Sequence, residues 1–156
     1  MRKTKKTLQV MVITFVVMLC MTGCGKEQDE FLEYMNGDAR KEVTDLEKKA
    51  KESYSSVSGD NYKDDQTMFD ELSKNTTDLV KQTVDKATSL GEKLEGEELK
   101  KVHEMYVTAL KDLQSGIEQL VKGVENGDAD IVSQANEVLG KSNEEETKYM
   151  EELKKL

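Results

Sequence analysis

The chain has two cysteines, Cys20 and Cys24, four positions apart in VVMLCMTGCGKEQDE. Thiols at that spacing could form a redox pair or a metal clip, or be two unrelated sulfurs. The single histidine, His103, lies on the line His103, Leu110, Ile117, Val124, spaced by seven at the edge of an apolar face. An imidazole there could ligate haem or metal with Met35 or Met150. A metal site needs several convergent ligands, and the chain has no repeated Glu-x-x-His pattern. A half-buried histidine at one end of a helical bundle is therefore the plainer expectation, with no cofactor.

Ala109, Gly116 and Gly123 are also seven apart and form a small-residue stripe. Such a stripe either lets a neighbouring helix approach closely or leaves a groove for a ligand or a partner's side chain. Glycine inside a helix costs up to about 1 kcal/mol relative to alanine, so two of them invite an explanation. Close packing is the simpler one; Gly140 could mark a kink. NGDADIVSQANE, residues 126–137, places Asn126, Asp128, Asp130 and Glu137 as in a calcium loop, but Ile131 stands where such a loop requires glycine. A helix turn already accounts for these residues. The acid run EEE at 144–146 reads as a solvated face. There is no Gly-x-Ser-x-Gly elbow, no phosphate-cradling glycine loop and no second histidine, so the expectation is a protein that is not an enzyme.

Residues 1–23 differ from everything after them. Arg2, Lys3, Lys5 and Lys6 make a basic start, and residues 8–21 are broken only by the uncharged Gln9 and Thr14. A membrane-spanning helix needs about 20 apolar residues, whereas the apolar region of a signal peptide has roughly 7 to 15. The run ends in MTGC, residues 21–24, with Gly23 directly before Cys24. This resembles the precursors of bacterial lipoproteins. The resemblance implies that Cys24 receives a diacylglyceryl group, that the chain is cut between Gly23 and Cys24, and that the product is held on the outer face of the cell membrane. Leu19 before Cys20 fits that pattern poorly, and Met21 departs from its usual aliphatic residue. The other reading is an uncleaved or differently cleaved signal with a free thiol.

Residues 1–23 carry four cationic and no acidic side chains, which leaves 19 Lys+Arg against 32 Asp+Glu and a formal charge of −13. That charge argues against nucleic acid as a partner. No internal disulfide is possible after Cys24. Arg40 is the one arginine beyond residue 23, among lysines.

About a third of the residues from Cys24 onward are apolar, a composition near that of disordered chains. Periodicity decides against disorder. Phe31, Met35, Ala39, Val43, Leu46, Ala50, Tyr54 and Val57 follow helical spacing and predict a helix over 28–56, weakest at Asn36-Gly37. A second series, from Phe69 through Leu72, Thr76, Val80, Val84 and Ala87 to Leu90, predicts 64–90, stopped by Gly91. Leu99 to Val124 gives 97–125, and the turn ENGD leads to a fourth helix whose series ends at Leu153 and Leu156. Four amphipathic segments joined by short connections predict an all-α fold, an antiparallel up-down four-helix bundle. The runner-up is a helical hairpin or three-helix bundle with the first helix as a separate stalk.

The expected organisation is a signal peptide over 1–23, a lipidated cysteine with a short tether over 24–30, and a bundle over 31–156. Its turns near residues 60 and 127 would point away from the membrane. The expected function is a membrane-anchored surface lipoprotein whose bundle binds a protein or cell-envelope partner. The alternative is a carrier or sensor for a small ligand, metal or haem, using the interior near His103 and Gly116.

Overall fold

The computed structural model describes residues 25–156, which are helical with no strand among them. Gly23 and Cys24, and with them the signal and lipidation assignments, lie outside the described residues. Helix α1, Gly25–Asn36, and helix α2, Asp38–Ser56, are separated by the single residue Gly37. Gly37 leaves the helical region at φ −72°, ψ 150°. A Cβ there would stand 2.5 Å from the Glu33 carbonyl oxygen, so the break needs glycine. The expected helix over 28–56 therefore divides at its weak point. The break also turns the buried face, with Tyr34 buried before it and Val43, Glu47 and Ala50 after it, while Ala39 is exposed.

Helix α1 begins at Gly25, so most of the expected tether over 24–30 is helix instead. Lys26, Glu27 and Gln28 are good helix formers, and Glu27 sits in the first turn, where a carboxylate favours the helix dipole. Nor is α1 a stalk: Tyr34 lies in the core, and Phe31 and Met35 pack against it.

Helix α3, Asp65–Glu71, is capped by Asp64, which accepts from the Thr67 amide at 2.8 Å. It runs through one wide π turn, Leu72–Thr76, into helix α4, Thr77–Gly91. Leu72, Thr76, Val80, Thr83 and Ala87 are all buried across that turn and into α4. The Ser53 hydroxyl of α2 packs against the turn, donating to Glu71 Oε1 at 2.5 Å and lying 2.7 Å from Thr76 Oγ1.

Helix α5, Glu97–Asn126, ends where Gly127 takes a left-handed φ of 63°. Asp128 then caps helix α6, Ala129–Leu153, accepting from the amides of Asp130 and Ile131. This is the turn expected at ENGD. The C-terminal Leu156 lies past the end of α6 and is exposed, contrary to its place in the apolar series.

Four helices, α2, α4, α5 and α6, pack together, with the largest pairing between α5 and α6. Along that pairing Gly123 meets Val132, Gly116 meets Leu139, the Ala109 carbonyl accepts from Ser142 Oγ at 2.7 Å, and Tyr106 stacks on Tyr149. The core divides in two. One part gathers Tyr34, Leu94, Leu99, Tyr106, Tyr149 and Leu153; the other gathers Val57, Leu72, Ile117, Leu120, Ala135 and Leu139. No described helix is long and apolar enough to cross a membrane.

Candidate functional site

Three of the five tyrosines close around Arg40 in the first part of the core. The guanidinium carbon stands 4.5 Å from the Tyr106 ring centroid, 5.5 Å from that of Tyr34 and 5.6 Å from that of Tyr149. Each helix supplies its part by spacing. Helix α1 brings Tyr34; α2 brings Arg40, Glu47 and Lys51, spaced by seven and four on one face; α5 brings His103 and Tyr106, one turn apart; α6 brings Glu146 and Tyr149. Tyr106 and Tyr149 stack with centroids 4.8 Å apart, and Tyr34 meets the His103 ring edge-on at 5.5 Å.

The hydrogen bonds here have a direction that one acceptor fixes. His103 Nε2 lies 2.7 Å from the Ala87 carbonyl oxygen, which can only accept, so Nε2 carries the proton. Burial, the largest influence, pushes the His103 pKa below the ordinary imidazole value. The nearby Arg40 charge works the same way, while the Ala87 carbonyl and Glu104 oppose it. The ring is thus neutral at pH 7 and accepts at Nδ1 from the Tyr34 hydroxyl at 2.9 Å. Tyr34 oxygen in turn accepts from the Tyr149 hydroxyl at 3.0 Å, and Tyr149 oxygen from Arg40 Nη2 at 2.9 Å. The result is a one-way chain from Arg40 through Tyr149, Tyr34 and His103 to the backbone of α4. It ties together five helices.

A second network adjoins it. Tyr106 donates to Glu47 Oε2 at 2.5 Å, and Lys51 Nζ stands 2.6 Å from Glu47 Oε1 and 2.7 Å from Glu146 Oε2. Burial opposes the charge of Glu47, but Lys51 outweighs it and holds that carboxyl below the usual range. Glu146 is pushed the other way, by burial first and then by the charge of Glu47. The EEE run is therefore not a uniformly solvated face: Glu144 is exposed, whereas Glu145 and Glu146 are half-buried. Arg40 Nη1 has no hydrogen-bond acceptor among the described residues, and the surrounding tyrosine rings provide the attraction that remains for its charge. Burial opposes the Arg40 charge, and the tyrosine oxygens of Tyr149, Tyr34 and Tyr106 offset that opposition, leaving its pKa above the ordinary value.

Of the residues singled out by spacing, His103 is buried at 1% exposure with both ring nitrogens engaged, and it has no free lone pair for a ligand. Met35 and Met150 pack against the same part of the core. Gly116 and Gly123 do not join His103. They lie 13 and 20 positions farther along α5, about 20 and 30 Å at 1.5 Å per residue, and Gly116 neighbours belong to the other part of the core.

Both glycines are close-packing contacts. A Cβ on Gly116 would meet Leu139 Cδ2 at 2.6 Å, and one on Gly123 would meet Val132 Cγ2 at 2.7 Å. Gly140 faces open space within an unbroken α6. Gly116→Val is expected to cost about 1–3 kcal/mol by overpacking, while Gly140→Ala is expected to add about 0.5–1 kcal/mol through helix propensity. Urea midpoints of the two variants moving in the same direction would contradict this packing.

Asn126, Asp128, Asp130 and Glu137 do not converge. Among the described residues no group of three or more His, Cys, Asp or Glu side chains is placed to hold a metal ion. A shallow depression between α2 and α4 is lined mostly by charged side chains, including Asp38, Glu42, Asp45, Lys49 and Lys86. No protein-family model, curated protein or solved structure matches the chain.

Proposed function

We propose that this protein is a membrane-anchored bacterial surface lipoprotein, not an enzyme, whose antiparallel up-down bundle presents its far end to a protein or cell-envelope partner. The observation that carries the reading is the MTGC ending of the apolar run, with Cys24 immediately before α1. One acyl chain holds a protein only marginally on a bilayer and two hold it stably. A diacylglyceryl Cys24 would keep the bundle on the outer face of the membrane.

The up-down order is supported by residue pairs whose numbers rise on α6 as they fall on α5, from Gly123 with Val132 to Tyr106 with Tyr149. The orientation is supported at both ends. Glu30, midway along α1, accepts from the amides of Glu95 and Gly96 at 2.6 and 2.8 Å, which supports α1 lying beside the α4–α5 connection. Val57, Val124 and Val132 share the opposite part of the core, which supports a turn near residue 60 on the same side as the turn at 127. With α1 helical from Gly25, six residues span about 9 Å instead of about 20 Å extended, and the bundle sits close to the lipid.

At the far end Tyr62 is 48% exposed, the most exposed large hydrophobic among the described residues. Aromatic side chains of this kind serve as anchors in protein interfaces. Crosslinking on intact cells, comparing wild type with the double variant Tyr62→Ala, Asn126→Lys, tests the reading. Loss of the crosslinked species in the variant is expected; an unchanged crosslinking pattern would refute the role of the far end. The carrier alternative lacks a comparable observation, because His103 is fully hydrogen-bonded and Leu139 fills the space beside Gly116.

A further inference from the structure

We infer that α1 is a proton-released arm: protonation of His103 reverses the hydrogen-bond chain at Tyr34 and lets α1 swing away from the bundle about Gly37. The inference concerns contacts within residues 25–156 and holds whatever the fate of Cys24.

The geometry supplies a hinge, a latch and a trigger. The hinge is Gly37, one non-helical residue between two helices. The latch is Tyr34, 3% exposed, whose hydroxyl makes the two side-chain hydrogen bonds of α1 to α5 and α6 found among the described residues. Glu30 adds a grip on the amides of Glu95 and Gly96, and Phe31 and Met35 are partly buried, while Leu32 faces outward.

The trigger follows from donor counting. Neutral His103 accepts the Tyr34 proton at Nδ1. An imidazolium instead donates at both nitrogens, so Tyr34 oxygen must receive a proton from Nδ1 while its own proton turns toward Tyr149. Tyr149 oxygen already accepts from Arg40, and the Tyr149 proton is left without its acceptor. Two cations would then flank Tyr34, His103 on one side and Arg40 on the other.

The groups facing His103 offer little compensation. From α1 it meets Tyr34; from α2, the Arg40 charge; from α4, the Ala87 carbonyl and the Gly91 backbone; from α6, Tyr149 through Tyr34. On α5 itself there are the Tyr106 ring and Glu104, which is exposed. The nearest buried carboxylate, Glu47, is occupied by Tyr106 and Lys51, and Glu146 by Lys51. Neither of the His103 hydrogen-bond partners is a carboxylate.

The sign is fixed by proton binding. Burial depresses the docked His103 pKa, so the released state binds more protons. Docking is therefore fully favoured above the ordinary imidazole value of about 6.5 and weakens as pH falls through it. A single proton can shift the equilibrium at most tenfold per pH unit.

Hydrogen exchange of the full chain in detergent micelles, corrected for the intrinsic pH dependence of amide exchange, reads this directly. Between pH 7.5 and pH 5.5, still above the ordinary carboxylate range, protection of amides 29–36 is expected to fall severalfold, up to about tenfold, while amides in the middle of α5 hold. His103→Gln can still donate to the Ala87 carbonyl and accept from Tyr34 but does not titrate, so its α1 protection should be independent of pH. Tyr34→Phe cuts the coupling and should leave α1 weakly protected at both pH values. A constant α1 in wild type, a loss shared equally by α5, or the same fall in either variant would overturn the inference.

Discussion

Replacing Tyr149 with alanine is expected to lower folding stability by about 4 kcal/mol, the upper range for emptying a large buried aromatic site. Tyr149 is fully buried, stacks on Tyr106 at 4.8 Å, accepts from Arg40 and donates to Tyr34. Alanine removes the stacking partner and strands a guanidinium N–H and a tyrosine oxygen at once. Tyr149→Phe keeps the ring and loses only the hydroxyl, and should cost about 1–3 kcal/mol through the unsatisfied Arg40. Natural domains hold about 5–15 kcal/mol in total, so the alanine variant would be close to unfolding. Urea unfolding of both variants at pH 7 checks the series. A Tyr149→Ala cost under about 1 kcal/mol, outside the range for large buried truncations, would mean that the enclosed arginine does not hold the helices together.

The second large effect is on location. Cys24→Ala removes the only sulfur at the position where the lipid would be attached, and no mature lipid-bearing form is expected to remain. The protein should leave the membrane fraction, or persist there only with residues 1–23 uncut. Each buried methylene of an acyl chain contributes about 0.8 kcal/mol, so loss of two chains removes the anchor outright. Fractionation with a radiolabelled fatty acid reads the result, and a mature, labelled Cys24→Ala product would refute the assignment.

These two predictions draw on different parts of what the sequence discloses. The α5–α6 junction was legible because glycine and aspartate have local reasons to be there: Gly127 takes positive φ, and Asp128 caps α6. Gly91 is the last residue inside α4, which is capped by Glu92, and its missing side chain makes room for the His103 ring. The face of α5 was legible because a 30-residue helix with one regular stripe has little choice about what it buries. The region before residue 57 was harder. Gly37 turns the helix, so the apolar series running through Met35 and Ala39 passes over Tyr34, which is the residue that is buried. The π turn was hidden because Phe69, Leu72, Thr76 and Val80 are spaced as an α-helix would space them.

The polar part of the core escaped for a different reason. Periodicity counts apolar residues, and Arg40, Glu47, His103 and Glu146 earn burial only through partners that come from other helices. One signal was present: a single arginine, Arg40, among lysines in the segment after residue 23. Arginine stacks on aromatic faces in a way that lysine does not, so an isolated arginine in a lysine-rich chain with three widely separated tyrosines deserved pairing with them. Spacing alone could not say which three.

The central claim is that this bundle hangs from a lipid on Cys24, and the intact mass of the protein extracted from bacterial membranes tests it most directly. The account predicts a chain that lacks residues 1–23 and carries the added mass of a diacylglyceryl group on its first residue. A membrane-extracted chain that still begins at Met1, or one in which Cys24 is a free thiol, would contradict it.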